Sequence, residues 1–117
     1  MGRLLQFSDI HFGVEHRRAC AAAVDYAHAT PSDLILITGD ITQKGYPDEF
    51  KAAGDWIRAM PEPRFVNVGN HDVPYWDVAA RLFYPWKAFE QATGHPAHDH
   101  QFLSPDLMVR GVTTARP

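Results

Sequence analysis

A single cysteine, Cys20, stands in a chain of 117 residues, so no disulfide can close within it, as befits a reducing compartment. No apolar run approaches the ~20 residues of a membrane span. The N-terminus lacks the charged stretch and apolar core of a signal peptide. Met1-Gly2 opens as a myristoylation signal does, but Gln6 stands where Ser or Thr is required. The cytoplasm is the expected location, with no membrane partner. Nor does charge of either sign dominate. A net charge of -3 provides no broad basic field for nucleic acid. Beyond a recurring strand–helix unit there is no internal repeat.

What remains is the make-up of an ordinary globular chain, 45% hydrophobic and 21% charged, enough for one domain or part of one. A first strand is expected over 3–7. From Glu15 to Ala29 the apolar residues Cys20, Ala23, Val24 and Ala27 fall on one helical stripe, and Pro31 stops the helix. Leu34 to Ile37 is apolar without alternation, which predicts a strand buried on both faces, as in a parallel sheet. A second helix is expected over 48–60, with Phe50, Ala53, Ile57 and Met60 as its stripe. Pro61 and Pro63 close it before a third strand over 65–68. The strand starts lie about 30 residues apart, the length of one βαβ unit. Farther on, an aromatic-rich segment holds a helix near 77–83, broken at Pro85 and resumed to Gln91. Two last strands, 102–104 and 107–112, join through Pro105-Asp106.

Each of the first three strands runs into a polar cluster: Ser8-Asp9-Ile10-His11, Thr38-Gly39-Asp40 and Gly69-Asn70-His71-Asp72. If the strands are parallel, all three clusters share one edge of the sheet, where open α/β folds place their sites. Asp9 and His11, two apart in an extended segment, would point to one side and reach one cation. Asp40 adds a carboxylate able to bridge two ions, and Asn70 a carbonyl oxygen. Hard oxygen mixed with imidazole suits manganese, iron or zinc better than calcium. His71 is read as a hydrogen-bond donor to substrate or leaving group, with Asp72 orienting its ring. Any one cluster alone is what a turn carries. By the same reasoning His95, His98 and His100 are read as a solvated loop, with stand-in metal ligands as the alternative, His16 and His28 as helix-surface residues, and Cys20 as an inert core thiol. The aromatics over 75–89 are read as packing, with Tyr75 or Trp76 open to a nucleotide substrate. Arg81 and Arg116 are read as surface cations.

In that order, on βα turns, Asp9-Ile10-His11, Gly39-Asp40 and Gly69-Asn70-His71-Asp72 resemble the calcineurin-like metallophosphoesterases. Thr42-Gln43-Lys44-Gly45 before Glu49-Phe50 is similar to the loop that follows the family's second metal strand. The stretch from Asp72-Val73-Pro74 through Ala79-Arg81 to Gly111 and Thr114-Ala115-Arg116 resembles bacterial members described as cyclic-nucleotide phosphodiesterase-like. The resemblance implies an α/β fold, the parallel βαβαβ half of a four-layer α-β-β-α sandwich, and residues 1–117 as its N-terminal part.

It also implies roles. Asp9 and His11 would bind a first metal, Asp40 would bridge, Asn70 would bind a second, and His71 would stabilise the transition state or protonate the leaving oxygen. The reaction implied is hydrolysis of a phosphodiester, such as a cyclic nucleotide, at two divalent ions. The family's later lone histidine and Gly-His-x-His run have no counterpart here, so the C-terminal half is expected to be absent and the centre incomplete. An exposed sheet would then favour oligomers. The rivals are a nuclease of the same superfamily, for which the chain lacks a basic groove, and a non-catalytic interaction module that keeps the fold.

Overall fold

The computed structural model describes residues 2–69, 71–74, 76–97 and 100–112. Three parallel strands, β1 (Leu4–Phe7), β2 (Leu34–Thr38) and β3 (Arg64–Asn67), lie in that order, with Leu5 beside Ile35 and Ile37 beside Val66. Helix α1 (Arg17–Ala29) connects the first pair and α2 (Pro47–Ala59) the second. With sequential strands, right-handed crossovers put both helices on one face. That face carries the core. Leu5, Phe7, Ile35, Ile37 and Val66 meet the expected stripes, Ala27 with Cys20, Ala23 and Val24 from α1, and Phe50, Ala53, Ile57 and Met60 from α2. The short helix α3 (Val78–Phe83) and α4 (Lys87–Thr93) follow, and α4 inserts fully buried Phe89 into the same cluster.

Local chemistry explains the helix ends. His16 caps α1, its Nδ1 accepting from Ala19 N–H at 3.1 Å. Pro47 opens α2, where its missing N–H costs nothing, and Asp48 and Glu49 sit at the positive end. The far end of α2 is closed from β3: the Arg64 guanidinium donates to the carbonyls of Ile57, Arg58 and Met60.

The other face of the sheet shows Leu4, Gln6, Leu34, Leu36, Thr38, Phe65 and Asn67. A hairpin of β4 (His100–Ser104) and β5 (Leu107–Gly111) covers its β3 side. His100 stacks on Phe65 with ring centroids 4.2 Å apart, and a Cβ on Gly111 would lie 3.0 Å from the Phe65 ring. Leu4, on β1, stays 45% exposed. Strand β2 departs a little from full burial: Leu34, Ile35 and Ile37 are buried, whereas Leu36 is only half-covered on the hairpin face.

Two histidine readings change. His95 is not part of a solvated loop. Its ring nitrogens lie 3.0 Å from the Thr93 carbonyl and 3.2 Å from that of Arg64, pinning the loop to β3. His100 is likewise against the sheet; His98 lies outside the described residues, as does Arg116. His28 bonds across to the Ala59 carbonyl at 2.7 Å, joining the ends of α1 and α2. Cys20 packs on the core, and burial raises its thiol pKa, as expected of an unreactive thiol.

Candidate metal centre

The loops leaving β1 and β2 run side by side. Asp9 N–H donates to Gly39 O, His11 N–H to Asp40 O and Phe12 N–H to Ile41 O, and Gln43 N–H returns to Phe12 O. The loop leaving β3 closes on them: His71 N–H donates to Asp40 Oδ1 at 2.9 Å. Asp9, His11 and Asp40 thereby bring one ligand atom each within 4.8 Å of one another. Asp9 Oδ1 is 3.7 Å from His11 Nε2.

This convergence does not arise from strand alternation, as the sequence implied. Strand β1 ends at Phe7. Asp9, His11 and Asp40 have φ of 56°, 54° and 51°, and among the described residues they are the non-glycine residues in left-handed conformation. Such backbone costs about 1–3 kcal/mol per residue and persists where surroundings over-determine it, often at functional sites. Here the cross-loop hydrogen bonds fix it. His11 carries a further sign: its Nδ1 is buried without a hydrogen-bond partner among the described residues. Two carboxylates and an imidazole, gathered by strained backbone and with a ring nitrogen unspent, fit a divalent ion of the manganese, iron or zinc type.

Asn70 lies outside the described residues; its neighbours Gly69 and His71 are in place. The His71 ring stands edge-on to that of His11, centroids 4.9 Å apart. Its Nδ1 is 2.7 Å from the Gln43 carbonyl oxygen. A carbonyl only accepts, so Nδ1 carries the proton and Nε2 is the nitrogen left for chemistry.

Asp72 does something other than orient that ring. It is fully buried, and Oδ1 accepts from Thr42 N–H at 2.9 Å and Thr42 Oγ1 at 3.1 Å, while Oδ2 accepts from Gly69 N–H at 2.9 Å. The carboxylate latches the second loop to the third, and Gln43 holds the His71 ring. Glu49, also buried, plays a similar part: Oε1 accepts from Lys44 N–H at 2.8 Å, and its side chain fills the space beside Gly13. Thr42, Gln43 and Glu49 carried no assigned role in the sequence reading. Their signal was present only as polar residues in a loop resembling a family loop.

Burial pushes the Asp72 carboxyl up to about 6, against the pull of its donors. In the metal-free protein the folded chain therefore holds this proton more tightly than the unfolded one. From Asp72 alone, stability is greatest below the ordinary carboxylate pKa of about 4, falls as pH rises to about 6, and is level above, a span of about 3 kcal/mol. Asp72→Asn cannot ionise and should flatten that slope, besides losing ~1–3 kcal/mol for a mismatched donor. Chemical denaturation across the window checks it, and an unchanged slope would place the proton elsewhere.

The calcineurin-like phosphoesterase family model matches residues 2–111. Among curated relatives, a probable cyclic nucleotide phosphodiesterase of Synechococcus sp. is 28% identical over 80 residues, 61% of this chain and 31% of its own length. A probable glycerophosphodiester phosphodiesterase of Arcobacter nitrofigilis is 40% identical over 40 residues, 34% of this chain and 15% of its own. The chain thus spans less than a third of the length of these relatives.

Proposed function

The chain belongs to the calcineurin-like phosphoesterase family, and from that premise we propose that it carries the metal-binding edge of a hydrolase that cleaves phosphodiesters at two divalent ions. Asp9, His11 and Asp40 would hold the first ion, and Asp40 with Asn70 the second. Manganese, iron or zinc, when bound, supplies positive charge to the phosphoryl oxygens and the attacking water. The protein's own part is to aim and to move protons. Asp40 Oδ1 is fixed by His71 N–H, which sets the carboxylate's angle toward the edge. His71, its Nδ1 held by Gln43, keeps Nε2 out of that bond, and Nε2 would donate to the leaving oxygen. Asp72 and Glu49 act at one remove, holding the loops.

The observation that carries this reading is the coincidence of the converging ligand atoms with the left-handed residues at the ends of two parallel strands. The names of both relatives describe phosphodiesterases, which favours a diester, with a cyclic nucleotide as one form. No helix among the described residues is long and apolar enough to cross a membrane.

Competitive titration with manganese or zinc tests the ligand set. Asp9→Asn should weaken the first ion by more than the ~10–100-fold that losing an outer partner costs. Asp40→Asn should weaken both. Wild-type affinity in both variants would sink the assignment.

A further inference from the structure

The metal ligands and His71 leave two aromatic side chains at the same mouth without a part in the chemistry. A depression of about 400 Å³ is lined by Gln43, Lys44, Tyr46, His71 and Trp76. That volume falls in the usual range for a small-molecule site. Tyr46 stands where the second loop enters α2, and Trp76 follows the His71 loop. The two are locked together: Trp76 Nε1 donates to the Gly45 carbonyl at 3.0 Å. Gly45, at φ 69°, lies so close to the Val73 carbonyl that no Cβ would fit.

The two rings have centroids 6.2 Å apart and planes tilted by 36°, which leaves no slot for a third ring between them. They form one shelf. Packing does not account for it, since Trp76 is 50% exposed and Tyr46 38%. A large ring held by a hydrogen bond to backbone, yet half in water, is apolar surface that folding did not use. Lys44, exposed beside it, has no ion pair among the described residues and places a positive charge at the mouth.

Resting on the phosphodiesterase reading, we propose that Tyr46 and Trp76 are the shelf on which the planar ring of the ester group lies, which makes the substrate a nucleotide diester and not an aliphatic one. The base stacks on the shelf while its phosphate reaches the Asp9–His11–Asp40 edge beside His71. Stacking tolerates any base, because every base has a π-face, so the shelf selects for a ring without reading its identity.

Calorimetric titration of the manganese-loaded chain with adenosine 5′-monophosphate and with ribose 5-phosphate tests this, since the two probes differ only in the base. The nucleotide should bind more tightly. Trp76→Ala should weaken it by roughly tenfold to a hundredfold, and should weaken ribose 5-phosphate less. Trp76→Phe should keep most of the nucleotide affinity, whereas Trp76→Leu, apolar but without a π-face, should not. Should Trp76→Ala fail to fold, the Phe and Leu variants carry the same comparison. Equal affinity for the two probes, equal loss of both in Trp76→Ala, or equal behaviour of the Phe and Leu variants overturns the shelf. Phosphodiester hydrolysis alongside such a result would leave the phosphodiesterase reading intact. Base-dependent binding through Trp76 together with wild-type manganese affinity in Asp9→Asn and Asp40→Asn would keep the shelf and overturn that reading instead.

Discussion

In an active preparation, His71→Ala should lower the rate on an alkyl phosphodiester by about 100- to 1,000-fold while leaving metal content unchanged. The expectation follows from how the ring is held. Its Nδ1 is taken up by the Gln43 carbonyl, and it lies edge-on to His11 without being one of the converging ligand atoms. On the proposed role, removing it takes away a donor to charge that develops in the transition state, while Asp9, His11 and Asp40 stay where their own loops hold them. The backbone N–H of residue 71 survives in the alanine variant, so the bond to Asp40 Oδ1 survives too. A poor leaving group such as an alkoxide depends on proton donation, whereas an activated aryl oxide leaves without it, so the loss should shrink on an aryl ester. Steady-state kinetics on both esters, with metal analysis of the purified variant, decides the matter. Loss of metal, or equal loss of rate on both esters, would remove the acid role from His71.

The scaffold that places this ring was largely legible in the sequence, because it is written in local patterns. Short apolar runs gave β2 and β3, the stripes gave α1 and α2, and Pro31, Pro61 and Pro63 marked where the helices stop. The shared edge followed from the strands being parallel. The detail of the site was less legible, because it depends on partners about 30 residues apart. Nothing local to Asp72 says that its Oδ1 goes to Thr42 and not to the neighbouring ring. Alternation in a strand led to Asp9 and His11 on one side, and the two do meet. They meet through left-handed turns stitched to the second loop, a conformation that side-chain type does not announce. His95 and Arg64 show the same limit, since each bonds carbonyls contributed by another element.

Gly69→Ala should abolish metal binding while leaving every ligand in the sequence. The residue lies where the third loop presses on the second. A Cβ built there would fall on the backbone nitrogen and the carboxylate oxygen Oδ1 of Asp40, and a Cβ on Gly39 would in turn lie 3.2 Å from Gly69 Cα. The obstacle is main chain on both sides, so no rotamer change relieves it. Either the Gly39–Asp40 turn moves or the Gly69 loop does. Each movement breaks the bond from His71 N–H to Asp40 Oδ1 and the latch from Gly69 N–H to Asp72 Oδ2. Overpacking of this kind costs about 1–3 kcal/mol or more, so the melting temperature should fall along with metal affinity. Asp40→Asn provides the contrast. It removes a charge without adding a heavy atom, so metal affinity should fall while the fold keeps its stability more nearly. Thermal melts and manganese titrations of the two variants, measured side by side, separate a lost ligand from a displaced one. Wild-type manganese affinity in Gly69→Ala would show that the two loops can part without cost to the site, and the close approach of Gly69 to Asp40 would then have no part in building it.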